Sequence, residues 1–126
     1  MMGVKAERPF RRKESAGGTM AEIKHTTDAS FEADVANSPR PVIVDFWAPW
    51  CGPCRMMAPE FSKAAAALQG KARLVKLNTE AEPKAGASWN IRGIPTLVAF
   101  ASGKERARQS GAMPAASIID WTKRAL

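Results

Sequence analysis

The densest apolar run in this chain is Val-Ile-Val-Asp-Phe-Trp at residues 42–47, and it constrains the fold more than any other segment. β-Branched and aromatic residues favour extended strands. A run without regular polar alternation is typical of a strand that is covered on both faces of its sheet. With 126 residues, the chain has the length of one ordinary domain. The run therefore predicts a central strand with helices packed on either side.

Strand and helix signals alternate along the rest of the chain. Met57, Phe61, Ala64 and Leu68 recur with helical spacing after the two cysteines, and Gly70 ends that pattern. The predicted order is β-α-β-α-β-α-β-β-α, an α/β domain whose mixed central sheet is flanked by helices on both faces. The predicted elements are a strand at 23–26, a short helix capped by Thr27 or Asp28, a strand at 41–48, a helix from the cysteines to Gln69, a strand at 72–78, a helix at 82–89, strands at 96–100 and 105–110, and a helix opened by Pro114.

Residues 1–20 predict a disordered, basic N-terminal extension, and residues 21–126 predict the folded domain. Five of the 19 Lys and Arg residues lie within positions 1–13, and large apolar side chains are almost lacking there. One alternative is a targeting or nucleic-acid-binding arm. Another is that translation begins at Met20.

The formal charge of +7 does not by itself indicate nucleic-acid binding. The sequence shows no base-stacking platform, and no basic run beyond its first residues. It also lacks an apolar stretch of the roughly 18 residues that span a bilayer, and the apolar core of a secretory signal. We therefore expect a cytoplasmic monomer that binds neither nucleic acid nor membrane.

The two cysteines of the chain, Cys51 and Cys54, lie between the predicted central strand and the helix that follows it. The two residues between them let the sulfur atoms meet at the start of that helix. Unpaired backbone N–H groups and the positive end of the helix dipole favour an anion there, which lowers the pKa of the Cys51 thiol. We predict that Cys51 is the attacking thiol and that Cys54, one turn inside the helix, is the more buried resolving thiol.

Two other interpretations of the cysteine pair compete with redox chemistry. A zinc site needs one or two further ligands, and the one histidine, His25, lies far away in sequence and is expected at the surface. A structural disulfide that closes so short a loop removes little entropy from the unfolded chain. We therefore predict no metal site and favour a redox role.

Asp45 is the one charged residue in the apolar run. Burial of a carboxylate raises its pKa, and such groups are functional candidates. Because the strand leads directly into the cysteines, we expect Asp45 beneath Cys54, as the base that takes the Cys54 proton and returns it. Lys76, in the neighbouring predicted strand, is expected to pair with Asp45. The alternatives are that Asp45 reaches solvent and that Lys76 points into water.

Four stretches of the sequence resemble the thioredoxin family in their order and spacing. They are VDFWAPWCGPCRM at 44–56, KLN at 76–78, IRGIPTL at 91–97, and Gly111-Ala112. The resemblance covers residues 23–126 and implies the thioredoxin fold, a cis peptide bond before Pro95, and a buried acid with a lysine neighbour at Asp45 and Lys76. It also implies a groove for client proteins. The residues that we assign to this groove are Trp50, Gly52, Pro53, Gly93, Ile94, Pro95, Gly111 and Ala112.

The resemblance also implies an activity, the reduction of protein disulfides through the Cys-Gly-Pro-Cys motif. It implies no bound cofactor, and re-reduction by thioredoxin reductase, which draws on NADPH. The APW and RMMAPEF segments, at 48–50 and 55–61, look most like the second bacterial type of thioredoxin. Residues 1–22 contain no cysteine, so the four-cysteine zinc-binding segment of that type is missing from them.

Two rival functions use the same fold. A thiol oxidase or isomerase outside the cytoplasm would need a secretory signal. A non-enzymatic binding module would not need the intact cysteine pair.

Overall fold

The computed structural model describes residues 23–126, so the predicted extension at 1–20 lies outside the described residues. Within 23–126 the chain alternates strands and helices in the predicted order. The strands are β1 (Lys24–His25), β2 (Val42–Trp47), β3 (Arg73–Asn78), β4 (Thr96–Ala101) and β5 (Lys104–Ser110). The helices are α1 (Gly52–Ala67), α2 (Pro83–Ser88) and α3 (Ala115–Ala125), and a π-helical turn, Glu32–Ala36, lies between β1 and β2.

The strands form one mixed sheet in the order β1-β3-β2-β4-β5. β1 and β2 run parallel to β3, whereas β4 runs antiparallel to both β2 and β5. The apolar run at 42–47 is the central strand, and its residues from Val42 to Phe46 are fully buried. The predicted α/β class and mixed sheet are confirmed.

Each face of the sheet carries its own apolar core, because neighbouring side chains of a strand point to opposite faces. On one face, Ile43 packs with Met57 and Phe61 of α1 and with Ile118 of α3. On the other face, Val42, Val44 and Phe46 pack with the π-helical turn and with α2. Burial of a side chain such as Phe61 stabilises the fold by about 1.5–3 kcal/mol. The helical stripe of α1 predicted from spacing is the stripe that is buried.

The first helical element differs from its prediction, because it is a five-residue π-helical turn and Asp28 does not cap it. Thr27 does bind a nearby residue, because its hydroxyl accepts a hydrogen bond from the backbone N–H of Ser30, three residues along the chain. Asp28 instead accepts from the N–H groups of Lys84 and Ala85, at 3.2 and 2.7 Å. The carboxylate of Asp28 thus caps α2, more than fifty residues away in sequence.

Replacing Asp28 with alanine is expected to lower the free energy of unfolding by about 1 kcal/mol, because two N–H groups at the start of α2 lose their acceptor. Urea unfolding followed by circular dichroism measures the change. Asp120→Ala is the matched control, since that carboxylate makes only an exposed ion pair with Arg124 on α3. An equal loss in both variants would show that the α2 cap contributes nothing beyond a surface charge.

β5 is one of the two outer strands of the sheet, and most of its side chains are exposed. Arg108 donates two hydrogen bonds to the carboxylate of Glu105, and its guanidinium also donates to the carbonyl oxygen of Trp89 at 3.0 Å. Hydrogen bonds from Arg108 hold the pKa of Glu105 below its usual value. The hydrogen bond from Arg108 to Trp89 ties β5 to the segment that leads from α2 into residues 91–95.

Candidate active site

The two cysteines lie at the junction between β2 and α1. Cys51 is the residue that precedes the first turn of α1, and its Sγ accepts a hydrogen bond from the backbone N–H of Cys54 at 3.2 Å. The two sulfur atoms form a disulfide bond. Cys51 is 5% exposed and Cys54 1%, so Cys51 is the more accessible sulfur of the two.

The local sequence explains why α1 begins at this point. Pro53 stands in the first turn, where a missing N–H costs no hydrogen bond. The backbone N–H of Cys51 donates to the carbonyl oxygen of Ala48, which closes the turn after β2. Arg55 donates from its guanidinium to the carbonyl oxygen of Pro49 at 3.0 Å and so fixes the loop that carries Trp50. The role of Arg55 was not predicted from the sequence, where it is one of many exposed cations.

This placement gives Cys51 the environment of a reactive thiol. In the reduced state, the N–H of Cys54 and the helix dipole both favour a negative charge on the Cys51 sulfur. Cys54 is held inside the first turn and is almost fully covered. The geometry therefore suits attack by Cys51 and resolution by Cys54.

Asp45 is fully buried in the centre of β2. It is in register with Leu97, which packs against α1, so its carboxylate lies on the α1 side of the sheet. Neither carboxylate oxygen has a hydrogen-bond partner among the described residues. Burial raises the pKa of Asp45 to about 7, although the positive charge of Lys76 acts in the opposite direction. Asp45 can therefore gain and lose a proton near neutral pH.

Lys76 is the register partner of Asp45 on β3. Its ammonium group lies over the ring of Trp47, 4.6 Å from the ring centroid, in a cation–π contact. No ion pair within 4 Å joins Lys76 to Asp45 in residues 23–126. The lysine thus acts on the carboxylate through its charge, not through a direct hydrogen bond.

The loop before β4 closes over the disulfide from the other side. The peptide bond between Ile94 and Pro95 is cis, as the sequence resemblance implied. The carbonyl oxygen of Ile94 lies 3.9 Å from the Sγ of Cys51. The backbone N–H of Gly111 donates to the carbonyl oxygen of Pro95 at 2.9 Å, which brings the end of β5 against this loop.

An exposed surface surrounds the sulfur atoms. Trp50 is 68% exposed, although tryptophan is a residue type that is usually well covered. It borders a cavity of about 380 Å³ whose lining is largely apolar. Of the predicted groove residues, the structure brings together Trp50, Gly93 and Ile94 around this cavity, and Gly52, Pro53, Pro95, Gly111 and Ala112 along the cysteine turn and the end of β5.

The comparisons with known proteins agree with this geometry. A family model described as thioredoxin matches residues 22–124. The chain belongs to the thioredoxin family. The thioredoxin of Synechocystis sp. is 42% identical over 107 residues, which cover 85% of this chain and 100% of that protein. The thioredoxin of Haemophilus influenzae is 41% identical over 102 residues, which cover 81% of this chain and 95% of that protein. Thioredoxin 1 of Nostoc sp. is 44% identical over 95 residues, which cover 75% of this chain and 89% of that protein.

Family membership and the cysteine pair together make this chain a thiol–disulfide oxidoreductase of the thioredoxin type. Among the residues that the structure describes, no helix is long and apolar enough to cross a membrane. Within the same residues, no group of three or more His, Cys, Asp or Glu side chains could hold a metal ion. His25 is exposed, and its ring lies 6.4 Å from that of Trp47, centroid to centroid.

The contact between the hydroxyl groups of Thr96 and Ser110 was not predicted from the sequence, where Ser110 stands out only because many members of the thioredoxin family have an apolar groove residue at its position. Thr96 donates to the carbonyl oxygen of Gly93 at 2.6 Å, and its Oγ1 lies 3.0 Å from the Oγ of Ser110. Thr96 is 2% exposed, whereas Ser110 is exposed. Strand pairing brings the two together, and no local pattern in the sequence indicates it.

Proposed function

We propose that this chain reduces disulfides in client proteins, with Cys51 as the attacking thiol and Cys54 as the resolving thiol. The observation that carries the proposal is the position of the Cys51 sulfur, which caps α1, is bonded to Cys54, and lies beside the exposed Trp50. A structural disulfide gains nothing from this exposed apolar neighbour. A sulfur atom that reacts with other proteins does benefit, because an exposed apolar side chain beside it can contact them.

The reaction proceeds in two exchanges. The Cys51 thiolate attacks one sulfur of the client disulfide, so that a mixed disulfide forms and the other client sulfur leaves as a thiolate. Cys54 then loses its proton and attacks the Sγ of Cys51, which releases the second client thiolate and forms the Cys51–Cys54 disulfide. The client gains two electrons and takes up two protons, and the cysteine pair is oxidised.

Asp45 is the proposed base in the second exchange. Its carboxylate lies on the α1 side of β2, the side on which Cys54 begins the helix, and its pKa of about 7 suits proton transfer at neutral pH. Lys76 is the proposed tuning group, because its charge partly opposes the effect of burial on Asp45. A water molecule can carry the proton between Asp45 and Cys54.

The groove for client proteins is proposed to surround the disulfide. The cavity beside Trp50 and the cis loop at Ile94 would receive apolar client side chains, since this lining is mainly apolar. The proposed contact residues are Trp50, Gly52, Pro53, Gly93, Ile94, Pro95, Gly111 and Ala112.

The remaining proposals concern the electron donor, the cofactor and the location in the cell. Thioredoxin reductase is the proposed electron donor, with NADPH as the indirect source, and the chain itself is proposed to hold no cofactor. The protein is proposed to work as a cytoplasmic monomer, with residues 21–126 as its domain.

An NADPH-coupled assay with insulin as the disulfide substrate tests this proposal. We expect NADPH oxidation only when the chain, thioredoxin reductase and insulin are all present. The control supplies dithiothreitol in place of reductase and NADPH. If the chain accelerates insulin reduction by dithiothreitol but gives none with reductase and NADPH, the reductase is overturned as partner. If the chain accelerates insulin reduction under neither condition, client reduction itself is overturned.

A further inference from the structure

Thr96 and Ser110 form a hydroxyl pair at the end of the sheet that lies nearest the disulfide. They are register partners on β4 and β5, and their oxygen atoms are 3.0 Å apart. The Oγ1 of Thr96 also lies 2.6 Å from the carbonyl oxygen of Gly93. Two hydrogen bonds thus link three oxygen atoms, from the exposed Ser110 hydroxyl through the buried Thr96 hydroxyl to the carbonyl oxygen of Gly93 in the loop before β4.

The direction of these hydrogen bonds follows from the number of protons. A hydroxyl carries one hydrogen, and a carbonyl oxygen carries none. Thr96 must therefore donate to Gly93, which leaves Ser110 to donate to Thr96. The Oγ of Ser110 has no other partner among the described residues, so its lone pairs remain free on the exposed side. Because the Ser110 hydroxyl donates its own hydrogen to Thr96, its Oγ becomes a stronger acceptor for a further hydrogen bond.

This acceptor lies within the proposed groove. Gly93 directly precedes Ile94, whose carbonyl oxygen is 3.9 Å from the Cys51 sulfur. Gly111, the residue after Ser110, donates to the carbonyl oxygen of Pro95. A client chain that reaches the disulfide therefore passes close to the Ser110 hydroxyl.

The charges around the groove limit what this acceptor can select. Arg55 and Arg92 are both exposed beside the disulfide. The segments 50–55, 91–95 and 110–114 contain no Asp or Glu. A client lysine or arginine would meet the positive charges of Arg55 and Arg92 and no carboxylate from these three segments, which disfavours a cation as the donor.

We propose that Ser110 is a specificity-determining residue, whose hydroxyl favours client disulfides flanked by an uncharged hydrogen-bond donor. An Asn or Gln amide and a Ser or Thr hydroxyl are the donors of this class. The inference rests on the proposed reduction of client disulfides and adds to it a preference among clients.

The test uses disulfide-bonded peptides in which one position beside the attacked cysteine is Asn, Leu or Lys, scanned over the neighbouring positions. Asn and Leu have similar size, so their ratio of kcat/KM isolates the hydrogen bond. For the position that contacts Ser110, we expect the chain to prefer Asn over Leu by about fivefold, the effect of one exposed hydrogen bond. Lys is expected to give no such gain.

The variants make the result specific to the hydroxyl. Ser110→Ala is expected to bring the Asn-to-Leu ratio to about one, and Ser110→Thr is expected to restore it. Ser117→Ala, an exposed serine on α3, is the matched control and should keep the preference. Thermal unfolding of each variant verifies the fold, since Thr96 still donates to Gly93 without Ser110.

Two results would overturn the inference while leaving the proposed function intact. One is reduction of all peptides with no preference for Asn at any position. The other is the same Asn-to-Leu ratio in Ser110→Ala as in the unmodified chain, including the case in which both rates fall equally. Failure to reduce any peptide would instead count against the proposed function.

Discussion

Cys51→Ser is expected to reduce the rate of insulin reduction to background, a loss of at least about 10³-fold. A serine hydroxyl stays protonated at neutral pH and cannot replace a thiolate in disulfide exchange. Serine is nevertheless a good residue at the start of a helix, so it can accept the N–H of Cys54 and keep α1 in place. The loss is therefore chemical and not structural, which unchanged circular dichroism would verify.

Cys54→Ser gives the complementary result. Cys51 can still attack, but the mixed disulfide is not resolved, so a covalent adduct with insulin should accumulate and be detected by mass spectrometry. Full turnover by Cys51→Ser, with Cys54 acting alone, would contradict the assigned roles.

The second large effect concerns the buried carboxylate of Asp45. Its pKa is about 7 in the folded chain and close to the ordinary value of 3.8 when the chain is unfolded. The folded state therefore binds more protons between these values, so the free energy of unfolding falls as pH rises from about 4 to 7. A shift of about three pKa units corresponds to about 4 kcal/mol at most. Below pH 4 the carboxyl is neutral in both states and this contribution vanishes.

Asp45→Asn removes the titration and nearly preserves the shape. We expect its free energy of unfolding, relative to the unmodified oxidised chain, to increase by up to about 4 kcal/mol between pH 4 and pH 8. Denaturant unfolding at several pH values measures this difference. Asp120→Asn, an exposed carboxyl on α3, serves as the control and should show no such trend. Parallel pH profiles for Asp45→Asn and the unmodified chain would mean that the carboxylate is not buried as described.

The same variant tests the proposed base. Resolution of the mixed disulfide at pH 7 should slow by at least about tenfold, because general-base catalysis typically contributes more than this. The rate in the unmodified chain should rise as pH passes through about 7, and the Asn variant should lack this step. An unchanged rate and pH profile would remove Asp45 from the mechanism while leaving its effect on stability.

The sequence predicted those features that depend on local patterns. The apolar run at 42–47 correctly indicated a central, doubly covered strand, and the spacing of Met57 and Phe61 indicated the buried stripe of α1. These patterns suffice because burial acts on every residue of an element and leaves a period in the sequence. The cysteine pair is similar, since a Cys-x-x-Cys motif between a strand and a helix fixes its own geometry.

The features that the sequence did not predict are contacts between distant segments. Asp28 is of a residue type that often caps the helix directly after it. It caps α2 instead, because the fold brings the start of that helix to it. Lys76 was expected to pair with Asp45, but its ammonium lies over Trp47, where a cation–π contact is available. Thr96 and Ser110 meet only through strand register. None of these partners can be predicted from spacing along the chain, because each depends on which distant segments the fold brings together.

β5, one of the two outer strands of the sheet, has a consequence for the proposed function, which requires contact with client proteins. An uncovered strand offers unpaired backbone groups on which a second copy could extend the sheet. Lys104, Arg106 and Arg108 line this strand and are exposed. Two molecules aligned through it would bring together two strands that each carry these three cations against the one carboxylate of Glu105. This net positive charge opposes self-association along the sheet and leaves the cysteine end free for the proposed clients.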